Sequence, residues 1–222
     1  MGKVSEYTIL DDSFYETLSS FAEELDRNKI QYALVGGAAV QSKIASVLSK
    51  NGKMSLNDIG GLDFLVRKTG DLDIALDNIS DERLVELFNS YNALNPPNKH
   101  LHPVTNKSLR TRKDININLE TCPEDFKGLP KSYSDIVYTS EPIVLRKGNN
   151  YAHISIAKPE YLVASKLTRL AEKDRIDIYN LIKTMHGNKE KFGFEEVKNI
   201  LKANAKEDRI DFLKEIHFEI IK

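Results

Sequence analysis

Cysteine and long apolar runs are scarce in this 222-residue chain. Because Cys122 is its one cysteine, the chain cannot form an internal disulfide, and a thiolate metal cluster is excluded. No stretch of about 18 apolar residues is present, and residues 1–12 contain no hydrophobic core typical of a signal sequence. We therefore expect a cytoplasmic protein that does not enter a membrane.

An excess of basic charge is also missing. Lysine and arginine number 32 against 33 aspartates and glutamates, which gives a net charge of −1. A polyanion such as RNA must therefore be held by a local patch, because the field of the whole protein does not attract it. The apolar fraction of 41% and the charged fraction of 29% are ordinary for a globular protein and exclude wholesale disorder.

The character of the chain changes near residue 158. Helical and strand-like segments alternate before this point, and every segment after it has helical periodicity. We predict an α/β domain over residues 1–157 and a helical domain over residues 158–222. The predicted helices cover residues 11–30, 38–50, 81–94, 159–185, 194–205 and 207–222. Strands are predicted within 31–35, 71–77, 114–120 and a hairpin over 141–157, with turn-rich polar loops over 50–62 and 95–113.

Two short motifs carry the chemical information. Gly36 and Gly37 lie between a predicted strand and a predicted helix, where backbone N–H groups can approach an anion and the helix N-terminus favours negative charge. Asp71 and Asp73 alternate with aliphatic residues on a strand, so both carboxylates point to the same face and can bind one hard cation. Magnesium favours one or two carboxylates together with water or substrate phosphate.

A third carboxylate on a neighbouring strand would complete a site for displacement at phosphorus. Asp114 is the natural candidate, because it opens the next strand with this alternation. Asn116 and Asn118 share its face, so a shift in strand pairing would place an amide at the metal instead. Just before this strand lies a segment without a single acid, and it is a candidate patch for a polyanion with the basic residues Lys107, Arg110, Arg112 and Lys113.

Each feature alone has an ordinary structural explanation, but their order along the chain does not. A strand, Gly-Gly and helix, followed by an Arg-x-Thr-x-Asp-x-Asp strand, resembles the nucleotidyltransferase superfamily related to DNA polymerase β. The segments LVGGAAV (34–40), RKTGDLDI (67–74) and residues 158–182 resemble its AbiEii-like branch, the abortive-infection and type IV toxin enzymes. This resemblance implies a mixed β-sheet flanked by helices and followed by a C-terminal helical bundle.

The resemblance also implies roles for the matching residues. Gly36 and Gly37 would hold the phosphates of a nucleoside triphosphate such as ATP. Asp71 and Asp73 would bind Mg²⁺ or Mn²⁺, and Asp114 is our own choice for the third carboxylate.

Other matching residues would surround the triphosphate. Lys166 would contact it, and Asp177 would be a further active-site acid. Arg67 and Thr69 would support the metal-binding strand or contact phosphate. Many members of the superfamily have Gly-Ser at the turn, and Gly37 removes that hydroxyl here.

The expected reaction transfers a nucleoside monophosphate to a hydroxyl group and releases pyrophosphate, with Asp114 or Asp177 accepting the proton. RNA such as a tRNA 3′ end is the first candidate acceptor, with the chain acting as a toxin that has a cognate antitoxin. A small molecule such as an aminoglycoside, or a protein hydroxyl, is the second, with Asp77 and Glu120 contributing to an acidic cleft. The third alternative is a catalytically degenerate nucleotide-binding module, which the Asn116 and Asn118 face would explain.

Overall fold

A computed structural model describes residues 6–59, 62, 67–77, 79–105, 107–124, 126 and 128–221. Within these ranges it shows a seven-stranded mixed sheet and eight α-helices, which confirms the predicted fold class. The strands are β1 (Tyr32–Val35), β2 (Asp71–Leu76), β3 (Leu101–Thr105), β4 (Ser108–Thr111), β5 (Asn116–Glu120), β6 (Glu141–Lys147) and β7 (Asn150–Ile156). The helices are α1 (Asp12–Arg27), α2 (Gly36–Leu48), α3 (Asp81–Leu94), α4 (Tyr133–Tyr138), α5 (Pro159–Arg169), α6 (Glu172–Gly187), α7 (Phe194–Ala203) and α8 (Ile210–Ile221).

The sheet has the strand order β3-β4-β5-β2-β1-β7-β6. Strand β2 is central, antiparallel to β1 and parallel to β5, while β1 is parallel to β7. The pairs β3–β4, β4–β5 and β6–β7 are antiparallel. Leu72 and Ile74 of β2 are buried on one sheet face, so Asp71 and Asp73 lie on the other, as their alternation predicts.

Helix α2 connects the sheet to the C-terminal helices. It begins directly after β1 and contacts β2 and β6 on the sheet and the helices α5 and α6. Because it has neighbours on several sides, all residues from Gly37 to Val47 are buried. This packing places α5 and α6 beside the Gly-Gly turn at the start of α2.

Two predictions of local structure are wrong. The predicted loop over 95–113 contains β3 and β4, whose pairing to β5 stabilises a strand pattern that polar residues obscure. The single helix predicted over 159–185 is two helices, since Leu170 adopts φ 53° and ends α5 before α6 begins at Glu172.

Several other predictions bear on residues near the ends of these elements. Ser80 caps α3, the helix predicted over 81–94, by accepting a hydrogen bond from the Arg83 backbone N–H. Residues 60 and 61 of the predicted 50–62 loop lie outside the described residues. The boundary at 157/158 stays a prediction, with the sheet ending at Ile156 and α5 following at Pro159. Among the described residues, no helix is long and apolar enough to cross a membrane.

Candidate nucleotide and metal site

The carboxylates of Asp71 and Asp73 are bridged by an amide from the neighbouring strand. Strand pairing sets Asp73 opposite Asn118 and Asp71 opposite Asn116. The Asn118 Nδ2 donates to Asp71 Oδ2 at 3.2 Å and to Asp73 Oδ1 at 2.9 Å. Asn118 Oδ1 accepts a hydrogen bond from Ser108 Oγ at 3.2 Å, which orients the amide with its NH₂ group toward the two carboxylates.

Asp114, predicted as the third carboxylate, is not brought to this pair. It is exposed in the turn between β4 and β5 with φ 58°, and β5 begins only at Asn116. The register therefore places a neutral amide, the alternative left open by the sequence, beside the two aspartates. Among the described residues, no cluster of three or more histidine, cysteine, aspartate or glutamate side chains could hold a metal ion.

The two carboxylates repel each other in a partly buried place. Burial raises the pKa of Asp73 from 3.8 to about 6, and the charge of Asp71 adds to this shift. The hydrogen bond from Asn118 and the charges of Arg169 and Lys166 act in the opposite direction. A divalent cation would relieve this repulsion, so the donor set fits one cation held by two carboxylates.

Gly36 brings the start of α2 into contact with this pair. Its φ of 70° lies in the left-handed region, and a Cβ there would lie 2.2 Å from Asp73 Oδ2. Only glycine fits both conditions. The residue before it, Val35, makes no side-chain cap, and the first turn of α2 contains no acid. The positive end of this helix therefore lies beside the Asp73 carboxylate, and it favours negative charge there.

The contacts at position 37 explain why glycine stands where many members of the superfamily have the serine of Gly-Ser. A Cβ at this position would lie 3.0 Å from Thr69 Oγ1 and 3.2 Å from Arg67 Nη2. A serine side chain would therefore crowd a hydroxyl that is already present. Thr69 Oγ1 donates to Asp71 Oδ1 at 3.2 Å, and its backbone pairs with Tyr7 in both directions, which supports the segment leading into β2.

A partly buried network of cations and acids lies beside the Gly-Gly turn. The Arg67 Nε and Nη2 donate to the two carboxylate oxygens of Asp177, each at 2.8 Å. Lys166 Nζ lies 2.5 Å from Asp177 Oδ2 and 3.4 Å from Asp174 Oδ1, and Arg169 Nη2 lies 3.1 Å from Asp174 Oδ1. Three cations share these two carboxylates, and the charges of Lys166 and Arg169 also lower the pKa of Asp73, so the network partly offsets the negative charge of the carboxylate pair.

Comparisons with known proteins agree with this geometry at the level of the fold. No family model matches the chain. No curated protein matches it either. The crystal structure of an antigenic nucleotidyltransferase-like protein from Paracoccidioides brasiliensis is similar over 96% of this chain and 95% of that chain, with a TM-score of 0.50 and 17% identity. The chain has a nucleotidyltransferase-like fold. The resemblance to the AbiEii-like branch stays a prediction.

The nucleotidyltransferase-like fold also has an open cavity next to the network. Its volume is about 330 Å³, and Phe126, Ser165 and Arg169 are among the residues that line it. A smaller space shares Phe126 and Ser165 with it and reaches Gly36 and Lys166. The cavity is in the size range of small-molecule sites, about 300–1,000 Å³.

Most of the residues predicted from the sequence come together in this fold, along with Asn118, which the sequence left open as an alternative to Asp114, and two residues that had not been predicted. The structure brings together Gly36, Gly37, Arg67, Thr69, Asp71, Asp73, Lys166 and Asp177. Asn118, Asp174 and Arg169 join them. Arg169 lies three residues after Lys166 on α5, a spacing that shares a helix face, whereas the contact of Asp174 depends on the break at Leu170.

Proposed function

We propose that the protein is a metal-dependent nucleotidyltransferase, which moves a nucleoside monophosphate from a nucleoside triphosphate to a hydroxyl acceptor. The contact between Gly36 and Asp73 supports this most directly, because it joins a helix N-terminus to a two-carboxylate cation site. A phosphate chain and its cation need these two elements side by side. A helix N-terminus alone, or a pair of carboxylates alone, would not need the other beside it.

Different residues around this contact would bind the cation and the phosphates. Asp71 and Asp73 would hold Mg²⁺ or Mn²⁺, which would neutralise charge on the phosphates. The backbone N–H groups at Gly36 and Gly37 would hold phosphate oxygens. Arg67 lies beside Gly37, so its charge would stabilise the pyrophosphate as it leaves.

In the proposed reaction the acceptor oxygen bonds to the α-phosphorus and the bond to the bridging oxygen breaks, so pyrophosphate leaves with the electron pair. Asp114 is away from the carboxylate pair, and both oxygens of Asp177 already accept hydrogen bonds from Arg67 and Lys166. We therefore assign neither acid as the general base, and the acceptor proton goes to water. Positioning and charge carry such a reaction, since its transition state is loose.

RNA, such as a tRNA 3′ end, is the acceptor we propose, with the enzyme acting as a toxin restrained by an antitoxin. Arg110 supports this choice, because it lies on the sheet face of the two aspartates. Glu120 at the rim of the 330 Å³ cavity favours the second candidate, a cationic small molecule of the aminoglycoside kind.

The proposal is tested by incubating the protein with each α-labelled triphosphate, Mg²⁺ and either total tRNA, an aminoglycoside or protein. Label is expected on tRNA, and Asp71→Asn is expected to abolish it while leaving the unfolding midpoint close to that of the wild type. Label on the aminoglycoside alone would select the second candidate. Triphosphate binding without transfer to any acceptor would identify a degenerate binding module, and the absence of binding would overturn the proposed function.

A further inference from the structure

Polar side chains extend from the carboxylate pair across the sheet toward its edge. Strand pairing places Asp71 opposite Asn116, Asn116 opposite Arg110, and Arg110 opposite His102. Directly paired residues project from the same sheet face, so these four side chains form one row across β2, β5, β4 and β3. We call it the polar row. All four are partly or fully exposed, and the alternate residue Leu109 is buried on the other face.

The polar row and the Gly-Gly turn lie on opposite sides of β2. The turn follows β1, which flanks β2 on one side, whereas β5 and β4 flank it on the other. In a displacement at phosphorus the attacking and leaving oxygens are roughly in line. If pyrophosphate leaves toward Gly36 and Gly37, the attacking hydroxyl approaches from the side of the polar row.

Arg110 is held in a position to bind the incoming acceptor. Its Nε donates to Asn116 Oδ1 at 2.8 Å, and the side chain is exposed. Two strand spacings separate it from Asp71, a distance of about 10 Å at about 4.8 Å per strand. The fixed Nε leaves the terminal nitrogens at the surface, where a guanidinium can bind two phosphate oxygens together.

We propose that Arg110 binds a phosphodiester of the acceptor next to its attacking hydroxyl, so the enzyme prefers the 3′ end of a single-stranded oligonucleotide. This inference rests on the proposed function. Between Asp71 and the sheet edge the polar row contains an amide, a guanidinium and an imidazole, so its charge suits an anionic acceptor. Two of the other basic candidates lie elsewhere, with Lys107 Nζ 3.8 Å from Cys122 Sγ, and with Lys113 lining a small cavity together with α1.

A neutral linkage tests this contact directly. Two short oligoribonucleotides are compared, one natural and one with a methylphosphonate at its last linkage, in transfer assays and in binding assays without triphosphate. Replacing Arg110→Ala is expected to weaken binding of the natural oligonucleotide about tenfold and to lower the slope of log affinity against log salt by about 1. For the methylphosphonate, this variant and the wild type are expected to bind equally.

Lys99→Ala provides a matched control, because Lys99 lies in the same stretch without acids, residues 99–113, but pairs with Glu16 of α1 at 3.1 Å. It is expected to bind both oligonucleotides like the wild type. Equal losses for Arg110→Ala on both oligonucleotides, or no loss on either, would overturn the assignment of Arg110. Binding that depends on Arg110 but leads to no transfer would overturn the proposed function and support the phosphodiester site. Transfer at the same rate with and without Arg110 would support the proposed function and overturn the assignment of Arg110.

Discussion

At the scale of single residues, strand register decides the chemistry of the site. The alternation of β2 and β5 predicts which face holds the polar side chains, but it contains no information on how far one strand is shifted against the other. The sequence therefore favoured Asp114 as the partner of the two aspartates, with an amide as the alternative, and the strand pairing places Asn118 opposite Asp73. Gly36, in contrast, could be predicted from its place between a strand and a helix, because a left-handed φ and a close contact with Asp73 leave no other residue there.

Replacing Asn118→Asp is expected to convert the site from two carboxylates to three. Three neighbouring negative charges repel one another, so the unfolding midpoint is expected to fall without metal. With Mn²⁺ present the added carboxylate becomes a ligand. We expect the dissociation constant for Mn²⁺ to fall by about tenfold, or about 1.4 kcal/mol. Calorimetric titration measures it, and Asn118→Ala, which removes the bridge without adding charge, is the control. A dissociation constant for Asn118→Asp no lower than that of the wild type would contradict the metal assignment.

The raised pKa of Asp73 predicts opposite effects of pH on stability and on metal binding. A carboxyl with a higher pKa in the folded chain stabilises the fold below its ordinary pKa of 3.8, and this contribution is lost as the pH rises through about 6. Metal binding needs the ionised form, so affinity is expected to increase over the interval from about pH 5 to about pH 7. Unfolding and Mn²⁺ titrations at several pH values measure both effects. Affinity that is constant over this interval would show that Asp73 is not a ligand.

A further prediction concerns the Thr69 hydroxyl, which a side chain at position 37 would crowd. Gly37→Ser is expected to lower the free energy of unfolding by about 1–3 kcal/mol, the usual cost of overpacking. In a Thr69→Ala background the added side chain gains room, so the same substitution is expected to cost less. A double-mutant cycle on unfolding free energies measures this coupling, and strictly additive costs would contradict the contact between the two positions.

At the scale of elements, α6 reaches the site through a buried ion pair. Asp177 of α6 is bound by Arg67, which precedes β2, and by Lys166 of α5, so one carboxylate joins three parts of the chain. Periodicity predicted the helical character of this region, but the contact needed the turn at Leu170, where a non-glycine residue takes a left-handed φ. Such a turn depends on tertiary packing and leaves little trace in the sequence.

Replacing Asp177→Asn is expected to leave the half-buried Arg67 and the buried Lys166 without their shared carboxylate. Removing one member of a buried ion pair costs about 3–5 kcal/mol, so a large fall in the free energy of unfolding is expected, together with weaker triphosphate binding. Asp211→Asn is the matched control, because it breaks an exposed pair with Lys214 one helical turn away. Its unfolding midpoint is expected to match the wild type. Equal midpoints for both variants would mean that the network does not hold α6 to the site.

At the scale of the whole molecule, the predicted boundary at 157/158 divides the sequence but does not divide the core. One cluster of buried apolar side chains runs from Ile9 to Ile216, and α2 packs against both the sheet and the C-terminal helices. Composition revealed the change from α/β to helical sequence, because that change is local. It could not reveal that the two parts share buried faces, since this depends on contacts between residues far apart in the chain.

A fragment ending at residue 157 is therefore expected to be unstable, although it contains all seven strands described by the structure. Removing α5 and α6 would expose the buried side of α2 to water and remove Lys166 and Asp177 from the network. We expect the full chain to unfold in one cooperative transition and the fragment to show no such transition in urea, with both followed by circular dichroism. A fragment that unfolds cooperatively with the wild-type midpoint would instead establish two independent domains, and the helical part would then contribute charge to the site without supporting its structure.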